Sequence, residues 1–372
     1  MIAAVSDRGG EAGISVPAVM RAAVYRGNGE VAVEEIPTPE IGEGEILVRV
    51  EACGVCHTDL KKVEYNLLPP PRVYGHETAG VVVKAGSKVT QYKPGDRVIV
   101  FHHIPCGNCF YCTQKLYAQC AGYKKVGVTA GFEPAGGGFA QYVRVMDWIV
   151  ERGVEKIPEG VSFEEASFVE PLNTVLKAVN HCDPKAGETV LVMGQGPIGL
   201  MFTMLAARRG ARVVATDTIE KRLGLARQCG AELAVDPRSG EDVTAILKGM
   251  TEGRGADVVI IAVSTKGIVE EAVRCSRPGA RIMLFAQTSD KERIELSGAS
   301  ICVGERSLLG CYSASVDVQR EGANLIFERK VPIHLLISDC FPLARIKDAF
   351  HLALHPTVES LKVIVQPQRC TE

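Results

Sequence analysis

The chain has 372 residues, of which 46% are hydrophobic, and its 42 basic and 44 acidic side chains leave a formal net charge of -2. Cores stop growing beyond roughly 250 residues, so we expect two domains. The balanced charge lacks the positive field that nucleic acids and anionic membranes require, which indicates a small-molecule partner and no nucleic-acid partner.

The beginning of the chain shows no targeting or membrane pattern. No apolar run approaches the roughly 18 residues of a membrane span, and "MIAAVSDRGGEAGISVPAVM" lacks the basic start and continuous apolar core of a signal peptide. We therefore expect a cytoplasmic protein with no membrane partner. Residues 1–19 have no periodic pattern, which predicts a flexible N-terminal extension.

Residues 20–172 contain short segments in which apolar and polar residues alternate. Gly and Pro turns separate them, and the segments read "RAAVYR", "EILVRVEA", "GVVVKAG", "DRVIVF" and "AQYVRV". This pattern is typical of short β-strands. It predicts a β-rich, barrel-like domain with loop insertions.

One of those loops carries four closely spaced cysteines, Cys106, Cys109, Cys112 and Cys120. Disulfides are not expected in a reducing compartment, so ligation of a metal by thiolates is favoured. Four thiolates complete a tetrahedral zinc site and leave no position for substrate, which predicts a structural zinc. An iron–sulfur cluster or a set of free thiols is the alternative.

A second group of potential ligands precedes this loop. Cys56 lies in "CGVCHTDL", and His76 and Glu77 lie in "YGHETAG". One thiolate, one imidazole and one carboxylate provide three protein ligands, which leaves a coordination position open. This combination is typical of a catalytic zinc.

The periodicity changes near residue 186. Strand "ETVLVMG", helix "PIGLMFTMLAARRG" and strand "ARVVATD" are followed by further helices and by strands "LAVD", "ADVVIIAV" and "ARIMLFA". Such alternation predicts a parallel sheet with right-handed crossovers over residues 173–313. We expect "RIMLFA" to form an edge through which a homodimer or homotetramer could pair. Residues 314–372 are predicted to return to the first domain.

The turn Gly194–Gly199 has the pattern GxGxxG, at the point where a strand ends and a helix begins. Gly194, Gly196 and Gly199 permit the tight turn. The helix then begins at Pro197, and free backbone N–H groups from Ile198 onward are available to a pyrophosphate. The turn therefore predicts a dinucleotide site. The alternative is a Gly-rich turn without a ligand.

Asp217 ends the following strand, where a carboxylate can accept hydrogen bonds from the adenosine ribose. A carboxylate there repels a 2′-phosphate, which favours NAD over NADP. Arg222 follows at the start of the next helix and can reach the same ribose. Asp217 has a second interpretation, as a cap of that helix.

In chain order, the Cys56 motif, "GHE", the four-cysteine loop, "GGFAQYV", "EPL", the GxGxxG turn and Asp217 resemble the zinc-containing medium-chain alcohol and polyol dehydrogenases. The resemblance extends from Met20 to Gln368. It implies an α/β fold, in which a GroES-like β-rich catalytic domain is joined to a Rossmann domain with a doubly wound parallel sheet.

The same resemblance implies roles for particular residues. Cys56 and His76 match the ligands of the catalytic zinc, and Glu77 matches a glutamate that ligates directly or by exchange. Glu170 stands where classical alcohol dehydrogenases have a second cysteine, which is similar to sorbitol-type enzymes. The alternative is that Glu170 only stabilises the start of the helix that contains Pro171.

Further roles follow from the resemblance. Thr58 matches the residue that accepts the substrate proton, and Asp59 matches a carboxylate that orients the histidine ligand. His57 extends the proton relay or contacts the pyrophosphate, or is merely solvated. Thr174 is expected to face the nicotinamide.

Three residues outside these motifs have no specific functional assignment. His102 and His103 are interpreted as packing at a strand end, because a closed site of four thiolates needs no further ligand. Tyr312 either lines the cleft or is a buried tyrosine.

The implied reaction is hydride transfer from a secondary alcohol or polyol to NAD, with one catalytic and one structural zinc per chain. Oxidation of an amino alcohol, as in threonine 3-dehydrogenase, is the alternative within the family. An alternative from a different class is a non-catalytic protein that binds zinc and NAD.

Overall fold

The computed structural model describes residues 15–286 and 293–370, and contains two large β-sheets and one small one. The predicted extension over residues 1–19 lies outside the described residues up to residue 14, and the first strand begins at Val19. The strands of the first half of the chain are β1 Val19–Gly27, β2 Glu30–Pro37, β3 Ile46–Gly54, β4 Glu77–Ala85, β5 Arg97–Val100, β6 Val128–Thr129, β7 Tyr142–Val145 and β8 Val154–Lys156.

The strands β3 to β8 form an antiparallel framework in which β3 is central. Strand β3 pairs with β4 on one side and with β7 on the other, while β1 and β2 form a separate hairpin. Helices are short in this half of the chain, and their bounds are α1 His57–Glu64, α2 Phe110–Thr113, α3 Asp147–Arg152 and α4 Phe163–Ser167.

Helix α5, Val169–Cys182, connects this framework to the second large sheet. Strands and helices then alternate as predicted: β9 Thr189–Met193, α6 Pro197–Arg208, β10 Arg212–Thr216, α7 Glu220–Gln228, β11 Leu233–Val235, α8 Val243–Met250, β12 Ala256–Ile261, α9 Ile268–Cys275, β13 Ser276–Leu284, α10 Gly298–Cys302 and β14 Ser307–Gly310. All six strands are parallel, in the order β11-β10-β9-β12-β13-β14. This is the strand order of a doubly wound dinucleotide-binding fold, with its crevice between β9 and β12.

Both faces of the parallel sheet are covered, as its continuous apolar strands require. Val190 and Val192 pack with helices α5 and α6, whereas the alternate residues Leu191 and Met193 pack with α8 and α9. The cluster with α5 also includes Ala52 and Ile99 from the antiparallel framework. Helix α5 therefore shares one core with both sheets.

The last part of the chain returns to the antiparallel framework. Its elements are α11 Gln319–Phe327, β15 Ile337–Pro342, α12 Ile346–Leu354 and β16 Lys362–Gln366. Strand β16 pairs with the end of β3, where Ile364 lies opposite Gly54. The C-terminal segment is thereby brought next to the loop that carries Cys56.

One expectation about the parallel sheet is wrong. The strand that contains "RIMLFA", β13, is an inner strand, because β14 pairs along its free side and forms the edge instead. The short segment "SLLG" has little strand pattern, so β14 was not expected. The proposed domain boundary at 172/173 falls within helix α5.

Among the helices of the described residues, none combines the length and the apolar character needed to cross a membrane.

Candidate active site and metal centres

Cys56 is the residue that precedes helix α1. Its backbone is extended, and its Sγ accepts a hydrogen bond from the N–H of Thr58 at 3.5 Å. The sulfur thus takes the place that a Ser or Asp side chain usually has at the start of a helix. This arrangement holds Cys56 at the end of β3, with His57 and Thr58 in the first turn of α1.

Glu77 is the first residue of β4, and His76 lies between it and Gly75. Gly75 has a φ of +98°, and a Cβ there would lie 2.8 Å from the backbone nitrogen of Phe139. Only glycine fits both conditions. The ligand atoms of Cys56, His76 and Glu77 lie within 4.8 Å of one another, so their soft and hard donors fit a zinc ion with an open position.

Asp59 fixes the orientation of His76. Its Oδ1 lies 3.0 Å from His76 Nδ1, and Asp59 is fully buried. Burial would lower the pKa of His76, but the charges of Asp59 and Cys56 outweigh it and hold that pKa well above its ordinary value. Because Nδ1 is used by Asp59, Nε2 is the ring nitrogen left for a metal.

Lys362 is a residue of this site that the sequence analysis missed. It extends from β16, is 7% exposed, and forms an ion pair with the buried Glu77. Burial opposes its charge, but Glu77 and Cys56 raise the pKa of Lys362 above its ordinary value. The signal in the sequence is a single lysine in the apolar strand "LKVIVQ", where a solvated side chain is not expected.

Gly54 provides the space for this pair. A Cβ on Gly54 would lie 1.9 Å from Glu77 Oε2 and 2.8 Å from Lys362 Cε. No larger residue fits without moving both charged side chains.

Glu170 is in the first turn of helix α5, next to this group but outside the set of three converging ligands. Burial raises the pKa of Glu170 to about 7, since its attraction to His76 is partly offset by the repulsion of Glu77. The position is compatible both with a role at the metal and with the expected favourable effect of an acidic side chain in a first turn.

His57 is exposed at the surface of α1, whereas Thr58 is partly buried. Burial of part of the ring, together with the positive charges of Lys362 and Lys61, lowers the pKa of His57. His57 is therefore neutral at pH 7 and able to accept a proton.

The four-cysteine loop forms a compact lobe, which comprises residues 106–123. Pairs of Sγ atoms lie 3.5 Å apart for Cys106 and Cys120, 3.6 Å for Cys109 and Cys112, and 3.9 Å for Cys106 and Cys112. A tetrahedral zinc with Zn–S bonds of about 2.3 Å requires sulfur separations of about 3.8 Å. The lobe therefore fits a zinc ion, and all four cysteines are free.

His102 and His103 connect the two groups of ligands. The ring of His102 lies 4.8 Å from that of His76 and 4.0 Å from that of His103, which in turn lies 5.0 Å from the ring of Tyr123. These ring contacts are compatible with the interpretation of both residues as packing at the end of β5. Burial lowers the pKa of His103 to about 4, so its ring is neutral.

The GxGxxG turn has the expected geometry between β9 and α6. Gly194 has a φ of +90°, and a Cβ on Gly199 would lie 1.8 Å from the carbonyl oxygen of Gly194. Gly196 precedes the helix, which begins at Pro197, and Ile198 packs on the core below. A Cβ on Gly196 would meet no atom within 4 Å, which leaves open space at the helix start.

Asp217 lies beside this turn. Its Oδ2 accepts from the N–H of Gln195 at 2.6 Å, and its Oδ1 accepts from the N–H of Ile219 at 3.0 Å. Arg222 Nη1 lies 4.0 Å from Asp217 Oδ2, and Arg222 Nη2 donates to the carbonyl of Ser360. The structure thus brings together the glycine turn, the acidic residue and Arg222, and Asp217 does interact with the start of α7.

Thr174 lies in helix α5, and Tyr312 follows strand β14 by two residues. Thr174 Oγ1 donates to the carbonyl of Pro171 at 2.8 Å, so its hydroxyl hydrogen is already used and its oxygen can serve a ligand only as an acceptor. Tyr312 is 54% exposed, so the alternative of a buried tyrosine is wrong.

Comparison with known proteins agrees with this arrangement. Residues 42–158 match the alcohol dehydrogenase GroES-like domain, and residues 197–328 match the zinc-binding dehydrogenase model. A sorbitol dehydrogenase from Bacillus subtilis is 30% identical over 361 residues, which cover 95% of this chain and 99% of that protein. The chain belongs to the zinc-binding alcohol dehydrogenase family.

Two further members show the breadth of the family. An L-threonine 3-dehydrogenase from Symbiobacterium thermophilum is 34% identical over 278 residues, which cover 73% of this chain and 76% of that protein. The crystal structure of a zinc-binding dehydrogenase from Sinorhizobium meliloti, bound to NADP, aligns with a TM-score of 0.84 and 31% identity, covering 94% of this chain and 100% of that one.

Membership in the family confirms the predicted fold class, a GroES-like domain combined with a Rossmann domain. It also confirms the predicted enzyme class, a zinc-dependent alcohol or polyol dehydrogenase.

Proposed function

We propose that the protein oxidises a secondary alcohol or polyol and transfers the hydride to NAD. The observation that carries this proposal is the convergence of Cys56, His76 and Glu77, within 4.8 Å of one another, at the end of β3. The match to a sorbitol dehydrogenase along nearly the whole chain supports the substrate class.

The residues around these ligands have separate roles in the proposal. A zinc ion held by Cys56, His76 and Glu77 supplies Lewis-acid chemistry, lowering the pKa of an alcohol hydroxyl. Thr58 accepts the hydroxyl proton and passes it to the neutral ring of His57, which releases it at the surface. Glu77 would hold the zinc directly or by exchange, and Lys362 is its ion-pair partner.

Glu170 is the residue that we assign to a polyhydroxylated substrate or a bound water. With a pKa of about 7, its carboxyl is available as a donor or an acceptor near neutral pH. A second cysteine at this position would offer only a weak donor and a weak acceptor. This difference favours a polyol over a simple alcohol.

The NAD site comprises the turn from Gly194 to Gly199, with Asp217 and Arg222 at the adenosine ribose and Thr174 at the nicotinamide. The carboxylate of Asp217 already accepts two backbone N–H groups. These two bonds hold the carboxylate of Asp217 in place beside the proposed ribose position, where its charge would repel a 2′-phosphate.

The remaining parts of the proposal concern the whole protein. We assign residues 20–172 with 314–372 to the catalytic domain and residues 173–313 to NAD binding. The lobe holds a second, structural zinc, and the protein is a cytoplasmic homodimer or homotetramer. Gel filtration with light scattering measures whether the protein is a dimer or a tetramer.

The first experiment is a spectrophotometric screen for NADH formation with polyols, secondary alcohols, sugars and threonine, on protein with measured zinc content. We expect turnover of a polyol or secondary alcohol, with about two zinc ions per chain and no activity in His76→Ala. His351→Ala, which removes an exposed histidine of α12, is the matched control and should be fully active.

Other outcomes separate the alternatives. Turnover of threonine alone would overturn the polyol assignment in favour of an amino alcohol. Binding of zinc and NADH without turnover of any alcohol would favour a non-catalytic relative.

A further inference from the structure

The segment 311–315 connects the last parallel strand, β14, with the C-terminal part of the chain, and we call it the crossover segment. It follows the carboxyl end of a strand in the doubly wound sheet, which is the edge where such folds bind their dinucleotide. Within it, Ser313 has a φ of +60°, a left-handed conformation that is unfavourable for a residue with a Cβ. Such a conformation persists only where surrounding contacts hold it.

Helix α5 holds the crossover segment from one side. Asn173 is fully buried and makes two reciprocal bonds with Ser315, from its Nδ2 to the carbonyl at 2.9 Å and from the Ser315 N–H to its Oδ1 at 2.8 Å. Lys177 Nζ donates to the carbonyls of Tyr312 at 2.8 Å and Ser313 at 3.4 Å. These contacts involve the same helix that carries Thr174.

The cysteine lobe contacts the crossover segment from the other side, through Tyr123. The Tyr123 hydroxyl donates to the carbonyl of Ala314 at 3.1 Å and lies 2.8 Å from Ser313 Oγ, which is then the donor of that second bond. Tyr123 is 4% exposed, and its ring packs with Cys112, Ala118 and Cys120. The contact bridges 190 positions of sequence.

Tyr123 is also linked directly to the sulfur cluster. It lies three residues after Cys120, one of the four cysteines of the lobe, and the two residues pack together in one buried cluster. The preceding residue, Gly122, is equally constrained, since a Cβ there would lie 3.1 Å from Cys106 Cβ and 3.4 Å from Cys120 Sγ. The position of the Tyr123 hydroxyl therefore depends on an intact cluster.

We propose that Tyr123 is a positioning residue that couples the metal-binding state of the cysteine lobe to dinucleotide affinity, through the crossover segment. This inference rests on the proposed NAD site. An intact cluster fixes Tyr123, which fixes Ser313 and Ala314 at the dinucleotide edge of the sheet. Loss of the metal from the lobe releases the segment and weakens dinucleotide binding, with Cys56, His76 and Glu77 left in place.

The test compares Tyr123→Phe with Tyr117→Phe in full-length, zinc-loaded protein. The first substitution removes the hydroxyl but keeps the ring and the N–H. Tyr117 belongs to the same lobe, and its hydroxyl makes no hydrogen bond to the described part of the chain. By fluorescence titration we expect the Kd for NADH to rise about fivefold to tenfold in Tyr123→Phe, as one net hydrogen bond implies, and to stay unchanged in Tyr117→Phe.

A second readout uses the reciprocity of coupled sites. In proteins that also carry Cys56→Ala, which removes the thiolate of the other group of ligands, a thiol-specific mercurial releases zinc from the lobe and a metallochromic dye records the rate. Saturating NADH should slow this release in the wild-type and Tyr117→Phe proteins, and the protection should be lost in Tyr123→Phe. Ser313→Ala removes the bond between Ser313 Oγ and Tyr123 but keeps the bond to the Ala314 carbonyl. It should therefore change both readouts in the same direction as Tyr123→Phe and by a smaller amount, including where Tyr123→Phe does not fold.

Two failures are distinguishable. If the wild-type protein binds NADH but Tyr123→Phe and Ser313→Ala retain both its Kd and its protection, the coupling is overturned and the proposed function stands. If the wild-type protein does not bind NADH, the proposed function is overturned together with the inference.

Discussion

At the scale of single residues, the buried pair of Glu77 and Lys362 shows how closely packing and chemistry are connected in this site. The two side chains are 1% and 9% exposed, and a buried carboxylate without its partner would cost several kcal/mol. Their separation depends on the missing side chain of Gly54. The smallest residue of the site thus decides where its charges lie.

Gly54→Ala provides a test of this dependence. The added Cβ would lie 1.9 Å from Glu77 Oε2, so the carboxylate must move away from its present position. We expect the affinity of the catalytic site for zinc to fall at least tenfold, a typical effect of disturbing the surroundings of a ligand, while the lobe keeps its zinc. Zinc analysis after dialysis should then give about one ion per chain.

Gly224→Ala is the control, because a Cβ at that helical position meets nothing within 4 Å. Retention of both zinc ions by Gly54→Ala would show that the pair can move without affecting the metal.

Asp217 permits a prediction about cofactor choice. Asp217→Asn keeps an acceptor for the N–H of Gln195 but removes the charge that would repel a 2′-phosphate. Hydrogen bonds to a charged group contribute about 1.5–3 kcal/mol, so the ratio of kcat/KM for NAD to that for NADP should fall about tenfold or more. Steady-state kinetics with both cofactors measure the ratio.

Asp183→Asn, at the exposed end of α5 and away from the glycine turn, should leave the ratio unchanged. An unaltered ratio in Asp217→Asn would mean that Asp217 acts only as a cap of the following helix.

At the scale of elements, an ion pair connects the start of β3 to β7. Arg144 donates from Nε and Nη2 to the two oxygens of Glu45, both at 2.7 Å, and the N–H of Gly42 donates to Glu45 Oε2 at 2.6 Å. Burial would raise the pKa of Glu45, but these donors outweigh it and lower that pKa below its ordinary value.

The lowered pKa fixes the direction of a pH effect. A carboxyl group whose pKa is lower in the folded than in the unfolded state stabilises the fold above the unfolded pKa and loses this effect as the pH falls through the folded one. Glu45→Gln should therefore lower the free energy of unfolding by about 1.5 kcal/mol at pH 7. The difference in Tm from the wild type should shrink below about pH 4.

Thermal unfolding followed between pH 3 and pH 7 checks this expectation. Glu43→Gln is the matched control, because Glu43 and its partner Lys88 are 67% and 74% exposed and such pairs contribute little. A Tm difference for Glu45→Gln that does not vary with pH would rule out the ionised pair as its cause.

Comparison of the elements with the sequence shows which signals are reliable. Long apolar strands such as "ADVVIIAV" and long helices such as the one after the glycine turn were predicted at nearly their observed bounds, because their periodicity is strong. The sequence analysis did not predict β14, because Ser307 and Gly310 interrupt its apolar pattern. Without β14 in the prediction, β13 was wrongly expected to be the edge of the sheet.

At the scale of the whole molecule, sequence reasoning succeeded where ligands are close together in the chain. The spacing of Cys106 to Cys120 alone indicated a closed site, and the sulfur separations agree with it. It failed where partners are distant. Nothing local connects Lys362 with Glu77, or Tyr123 with Ser313, because those contacts arise only when the end of the chain returns to its beginning.

The pairing of β16 with β3 has a consequence for the newly made chain. Lys362 is synthesised 362 − 77 = 285 residues after Glu77, which at about 5–20 residues per second takes about 15–60 s. During that interval Glu77 lacks the ammonium group of Lys362, whereas the cysteines at 106–120 leave the ribosome together. The lobe is therefore able to take up its ion during translation, and the catalytic centre is completed only after the last strand has docked.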